Sequence, residues 1–206
     1  MDKKDSKLVL IIGAGVGLLV QPILVNVVVA PSLLLRIAAF IGFLVLAPAA
    51  LFVASLIGRK IPVIYQFAKF AAVGALNTFI DVGVLNAEIL LSGLPGGGMY
   101  YPALKGISFL AGTTNSFFWN KYWTFKARET RSVSQTVKFY VFATVGFALN
   151  VGMATFVVGL RPGSVRPNLW ANVGALAGVA ASFLWDFFSY KYIVFKKPAE
   201  PVPLKP

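Results

Sequence analysis

Six apolar runs, each long enough to cross a bilayer, leave this chain few folds to choose from. They cover Leu8–Ala30, Leu33–Ile57, Gln66–Leu91, Leu104–Phe125, Val137–Leu160 and Leu169–Phe195. A spanning helix needs ~20 largely apolar residues at ~1.5 Å rise each. In hydrocarbon a helix satisfies every backbone N–H and C=O within its own segment. The expected fold is therefore an all-α polytopic membrane protein with six transmembrane helices. The first run follows Lys3, Lys4 and Lys7 and imitates a signal peptide. Its apolar stretch exceeds the usual ~7–15 residue core, so it reads as an anchor, with a kink expected at Pro22. The tight Pro31-Ser32 link folds the first two runs into a hairpin.

Composition matters here for its charge. Only 13% of the residues are charged, yet Lys and Arg number 19 against 7 Asp and Glu, a net +12. In a soluble protein that balance would point to nucleic acid. Here the cations form short clusters between apolar runs, so membrane topology explains them and no nucleic-acid partner is expected. Fifteen of the 19 fall on the side of both termini, and Arg36, Lys105, Arg161 and Arg166 fall on the other. The positive-inside rule then places both termini in the cytoplasm, which also argues against a dual-topology transporter. Cys and His are absent, which excludes disulfides, thiol chemistry, imidazole bases and most zinc sites. No cofactor or metal is expected.

The chain repeats itself. "NSFFWNKYWTFKAR" (Asn115–Arg128) and "DFFSYKYIVFKK" (Asp186–Lys197) both end apolar runs. Aligning Lys121 with Lys191 pairs Phe117-Phe118 with Phe187-Phe188, Tyr122 with Tyr192 and Phe125 with Phe195. Upstream, "QFAKFAAVGALN" (Gln66–Asn77) resembles "QTVKFYVFATVGFALN" (Gln135–Asn150) when short gaps are allowed. That alignment matches Asn77 with Asn150 and puts the counterpart of Asp81 near Ala154. Two helices per repeat return the chain to its starting side, so the last four helices form two parallel-repeat hairpins.

On these motifs, "KFAAVGALNTFIDVGV", "NSFFWNKYWTFKA" and their second copies, the chain resembles the GtrA-like family of small membrane proteins. Such proteins have four helices, a Phe-x-x-x-Gly-x-x-Asn type opening and an Asn-(Arg/Lys)-(aromatic)-Trp-x-Phe closing. The resemblance implies three regions: an extra N-terminal transmembrane hairpin (1–60), a GtrA-like four-helix domain (61–197) and a Pro-rich disordered tail (198–206). It also implies a part in cell-surface polysaccharide synthesis, with translocation of a polyprenyl-phosphate-linked sugar in the cytoplasmic membrane of a prokaryote. The second closing motif has Ser189-Tyr190-Lys191-Tyr192 and lacks a counterpart of Asn120.

Residue chemistry supplies candidate sites without the family. Asn77, Asp81, Val84 and Glu88 recur at i, i+4, i+7 and i+11 and share one helix face. A charge at mid-bilayer costs at least ~2.5–3.5 kcal/mol, so Asp81 should face protein or water, while Glu88 can reach the interface. Asp186 lies ~13 Å from the cytoplasmic end of the last helix. Intramembrane acids usually mark pathways; the plainer reading is that both are protonated or paired. Asn77, Asn115 and Asn150 are sugar-hydroxyl candidates or interhelical glue, and Gly74, Gly146 and the Gly13-x-x-x-Gly17 spacing are packing contacts. Trp119, Tyr122, Trp123, Tyr190 and Tyr192 fit an aromatic belt, with Trp119 also a candidate sugar platform. Lys69, Lys121, Lys138 and Lys191 would form a basic collar that attracts a lipid phosphate. Gly93–Gly98 lacks the Gly-Lys-Ser/Thr of a phosphate loop and reads as a flexible turn.

Two functions fit: a carrier for the lipid-linked sugar, and a scaffold for a polyprenyl-phosphate glycosyltransferase. Neither is an enzyme, since no nucleophile–base pair or metal cluster is visible. Dimerisation to enclose a headgroup path is an expected option.

Overall fold

In the computed structural model, which describes residues 1–28, 30–93, 98–127, 133–165 and 167–196, the chain is helical and carries no strand among those residues. The helices are α1 Lys3–Val27, α2 Leu33–Ile57, α3 Pro62–Ser92, α4 Tyr101–Trp119, α5 Val133–Gly159 and α6 Pro167–Ser189. α4 and α6 each run straight into one π-helical turn, Asn120–Thr124 and Tyr190–Val194. Each predicted run is thus a helix. α1, α2, α3 and α5 are long and apolar enough to cross a membrane by length and composition; α4 and α6, of 19 and 23 residues, are the shortest. The protein is a multi-pass, all-α membrane protein.

The helix ends follow local chemistry. The Asp2 carboxylate caps α1 by accepting from the Asp5 amide at 2.6 Å, and Ser32 Oγ caps α2 by accepting from the Leu35 amide at 3.2 Å; both satisfy donors that a helix start leaves unpaired. Pro62 opens α3, where its missing N–H costs nothing. Gly93 ends α3 at φ +66, with its amide donating to the Ile89 carbonyl at 3.1 Å, a left-handed cap that suits glycine. The rest of the predicted Gly-rich turn (94–97) and the Pro-rich tail lie outside the described residues. Helix α1 continues through Pro22, and α2 through Pro48.

The chain divides into two compact units, Met1–Thr124 and Phe125–Pro206. In the first, the N-terminal hairpin packs onto α3 rather than standing apart. Gly13 and Gly17 let α1 meet α2: a Cβ on Gly13 would lie 2.6 Å from the Phe43 carbonyl oxygen, and one on Gly17 would lie 2.8 Å from the Phe40 ring. Val9, Ile12 and Val16 of α1, Leu51 of α2, Val73 and Leu76 of α3, and Trp123 form the buried core. The second unit is closed by aromatic rings: Phe139, Phe187, Tyr190 and Phe195 are at most 3% exposed, and Phe125 stacks on Phe195 at 5.4 Å. Large apolar side chains such as Leu33, Leu34, Phe147 and Leu176 are exposed, as a lipid-facing surface requires.

Candidate functional site

Each hairpin is a ladder of polar rungs. The lowest is a clamp: Gln66 Nε2 donates to the Thr124 carbonyl at 3.2 Å, and Gln135 Nε2 donates to the Val194 carbonyl at 3.2 Å. In both units, therefore, a glutamine near the start of the first helix ties down the π-helical turn that ends the second. A π turn frees carbonyls from the i→i−4 ladder and is frequent at functional places. Phe70 and Phe139, four residues on, are both buried.

These rungs give the repeat a second, ungapped register. Gln66 and Gln135 are 69 positions apart, as are Phe70 and Phe139, and the continuous helices α3 and α5 hold that spacing upward. Counted from these clamps without a gap, Asn77 stands level with Gly146 and Asp81 with Asn150, one turn below the gapped counterparts Asn150 and Ala154. A four-residue gap adds about one turn at ~3.6 residues per turn, so the gapped pairing keeps the same helix face and differs in height: an added Cβ on Gly112 would meet Asn77 and Asp81 as one on Gly178 would meet Asn150 and Ala154.

With the register set, the middle rungs can be compared. In the first hairpin Asn115 Nδ2 donates to Asn77 Oδ1 at 2.7 Å, and Ser108 Oγ donates to Asp81 Oδ1 at 2.7 Å. In the second, Gly146 faces the Asp186 carboxylate, whose Cγ would lie 3.0 Å from an added Cβ. Asn150 Nδ2 donates to Ser182 Oγ at 3.2 Å, and Trp185 Nε1 donates to the Phe142 carbonyl at 3.0 Å. Asp186 Oδ1 is buried and accepts no hydrogen bond among the described residues. Each hairpin thus holds one carboxyl group at mid-height, on the first helix in one and the second helix in the other. The structure brings Asn77 together with Asn115, and Asp81 with Ser108. Asn150 meets Ser182. Glu88, on the Asp81 face, is half-buried, and its Oε2 is buried.

The closing signatures superimpose in kind. Lys121 Nζ lies 5.3 Å from the Phe117 ring centroid and 5.8 Å from that of Tyr122; Lys191 Nζ lies 5.6 Å from Phe187 and 5.3 Å from Tyr192. Phe118 stacks on Tyr122 with planes 8° apart, and Phe188 on Tyr192 with planes 5° apart. Ammonium groups within ~6 Å of ring centroids are held electrostatically by the π faces. Lys121 is buried and Lys191 half-buried.

Two predicted site residues have other work. Lys69 is buried in an ion pair with Asp5 of α1. The same carboxylate accepts from Tyr65 Oη at 2.8 Å and from Trp123 Nε1 at 2.7 Å. Lys69 therefore does not join a free basic collar, because its charge is already matched. Its counterpart Lys138 is exposed. Trp119 packs against the core of the first unit and meets Trp123 edge-on at 5.5 Å, so it belongs to the core more than to a headgroup platform. Asp5, Tyr65 and Trp123 were missed as a group. The available signal was an acid placed between lysines in Lys3-Lys4-Asp5-Ser6-Lys7. A cavity of about 300 Å³ between α1, α2 and α3, lined by Ile12, Phe43, Ala47, Ala72 and Phe79, holds none of the predicted site residues and is almost wholly apolar.

Paired helical hairpins with polar rungs, each finished by a lysine on aromatic rings, define a multi-pass membrane protein of repeated-hairpin type. Residues 69–195, more than half of the chain, match the model of the GtrA/DPMS transmembrane-domain family. The chain belongs to that glycosylation-related family. It is also 28% identical over 132 residues to an uncharacterized membrane protein, YngA of Bacillus subtilis strain 168, a match covering 56% of this chain and 85% of that protein. No solved structure matches it. The N-terminal hairpin, α1 and α2, lies outside the family match.

Proposed function

We propose that the protein binds a polyprenyl-phosphate-linked monosaccharide and moves its headgroup across the cytoplasmic membrane of a prokaryote, as a carrier and not an enzyme. The observation that carries this reading is the twice-built lysine on an aromatic platform at a π-helical turn, Lys121 and Lys191. An ammonium at the foot of a helix attracts a lipid phosphate, and the ring faces beside it suit the apolar side of a sugar. Lys138, exposed at the start of α5, adds positive charge in the second unit. The sugar hydroxyls would meet Asp186 and Asn150 in one hairpin and Asp81, Asn77 and Asn115 in the other. An asparagine that makes one hydrogen bond keeps further donor and acceptor capacity.

The test is reconstitution of the pure protein in liposomes with a labelled polyprenyl-phosphate monosaccharide, followed between leaflets. Lys191→Ala should slow transfer about tenfold, the size expected for one hydrogen bond to a charged group, and Lys191→Arg should keep much of it. Transfer that is unchanged in Lys121→Ala/Lys191→Ala would return both lysines to membrane anchoring. Cytoplasmic termini predict that cysteines at Lys60 and Gly163 are labelled from opposite faces, Gly163 from outside.

A second reading has its own support. The rungs Asn77–Asn115, Asp81–Ser108 and Asn150–Ser182 are satisfied within each hairpin, which suits a scaffold for a polyprenyl-phosphate glycosyltransferase. Co-purification with such an enzyme, without transfer in liposomes, favours it.

A further inference from the structure

Asp5 sits where three donors converge. Tyr65 Oη and Lys69 Nζ reach its Oδ2, Trp123 Nε1 reaches its Oδ1, and the tyrosine and indole bonds are 2.8 and 2.7 Å long. Asp5 is 3% exposed, Lys69 4% and Trp123 3%. The Lys69 ammonium also lies 4.5 Å from the Tyr65 ring centroid and 5.5 Å from that of Trp123. Two neutral donors and one cation around a single carboxylate form a complete oxyanion cradle.

Repeat geometry does not require this cradle. At the matching positions of the second unit Tyr65 becomes Ser134 and Trp123 becomes Ile193, while Lys69 becomes the exposed Lys138. The cradle is assembled where α1, from outside the family match, meets the first hairpin. All three donors belong to α3 and the first π turn; only the anion comes from α1. Asp5 occupies the first turn of α1, four residues before Val9, which is fully buried. First turns fray at little cost compared with the rest of a helix. Unwinding residues 3–7 would free the carboxylate and leave Val9 and Ile12 in the core. It would also leave Lys69 buried beside two unanswered donors, a state that strongly favours any replacement anion.

We propose that Tyr65, Lys69 and Trp123 form an oxyanion-binding site whose built-in ligand is Asp5. A phosphate anion, whether free or the headgroup of a lipid, enters this site only when the first turn of α1 lets go. The inference does not depend on the transport reading, because its test uses no lipid-linked sugar.

The experiment is chemical rescue of the full-length chain. Asp5→Ala should melt below the parent in chloride. Inorganic phosphate, and separately acetate, at matched ionic strength should raise its Tm by roughly 2–4 °C. The parent should not respond, nor should Asp5→Ala/Lys69→Met, which lacks the cation. If Asp5→Ala does not fold in chloride, recovery of folded protein in phosphate or acetate is the same positive result. An absence of anion-dependent gain or recovery, or an equal gain in the double variant, overturns the site. Nanodiscs of neutral phospholipid, with and without an anionic one, then separate the sources. A gain with anionic lipid in chloride assigns a headgroup, and a gain with inorganic phosphate alone assigns a free anion.

Discussion

Hairpins α3–α4 and α5–α6 close alike and open differently. Both end in a π-helical turn clamped by a glutamine and carry a lysine over two aromatic rings. At the other end of that similarity, Lys69 is buried against Asp5 while Lys138 is exposed. Between these points the carboxyl group changes helix, from Asp81 on α3 to Asp186 on α6. The shared parts depend on backbone and ring geometry, which a duplicated sequence copies automatically. The divergent parts depend on neighbours, and in the first hairpin α3 has α1 packed against it. Equivalence of the repeats is therefore an equivalence of closure, not of charge.

The sharpest way to break the comparison is to remove each opening lysine. Lys69→Met leaves Asp5 buried without its cation and should cost ~3–5 kcal/mol in reversible unfolding in mixed micelles. Lys138→Met, at an exposed position, should stay within ~0.5 kcal/mol. Equal costs for the two would mean that the hairpins open alike after all.

Next in size is the glycine that faces Asp186. Gly146→Ala pushes a methyl group into that carboxylate and should destabilise by ~1–3 kcal/mol, as overpacking does. Gly152→Ala, where an added Cβ meets nothing within 4 Å, is the control and should be neutral or better. In Gly146→Ala/Asp186→Ala most of the loss should return, because the two groups share one space. A strictly additive double variant would remove Asp186 from this rung.

The clamps should be twins. Gln66→Ala and Gln135→Ala each lose one side-chain hydrogen bond to a π-turn carbonyl and should cost a similar ~0.5–1.5 kcal/mol. A difference above ~1 kcal/mol would show that the closures differ more than their matched lengths suggest. The smallest effect is expected at Asn77 and Asn115. Interhelical hydrogen bonds in membranes average ~0.6 kcal/mol, so a double-mutant cycle should return a coupling of that order. Zero coupling would detach Asn115 from Asn77.

The immediate surroundings of several candidate residues were legible in sequence because they are local. Lys121 and Lys191 were readable from spacing alone, since the π turn and the aromatic residues that hold them belong to the same dozen residues. Asp81 was readable because a helix period fixes its face, and that face does meet α4 through Ser108. The ion pair of Lys69 was not legible, because its partner lies 64 positions away in another helix. The packing of Trp119 was not legible for the same reason: its surroundings come from α1 and α3.

By itself the sequence determined the number of the helices, their place in the chain to within several residues, the duplication and its closing signatures. Hydrophobic length and helical period act over short stretches of chain, so a reader of the chain can recover them. The tertiary structure decided which acid meets which base, which rung faces which, and that the first hairpin's lysine is already answered from α1. Those choices are made between side chains far apart in sequence, by packing and by the cost of leaving a buried charge alone, and no local pattern records them.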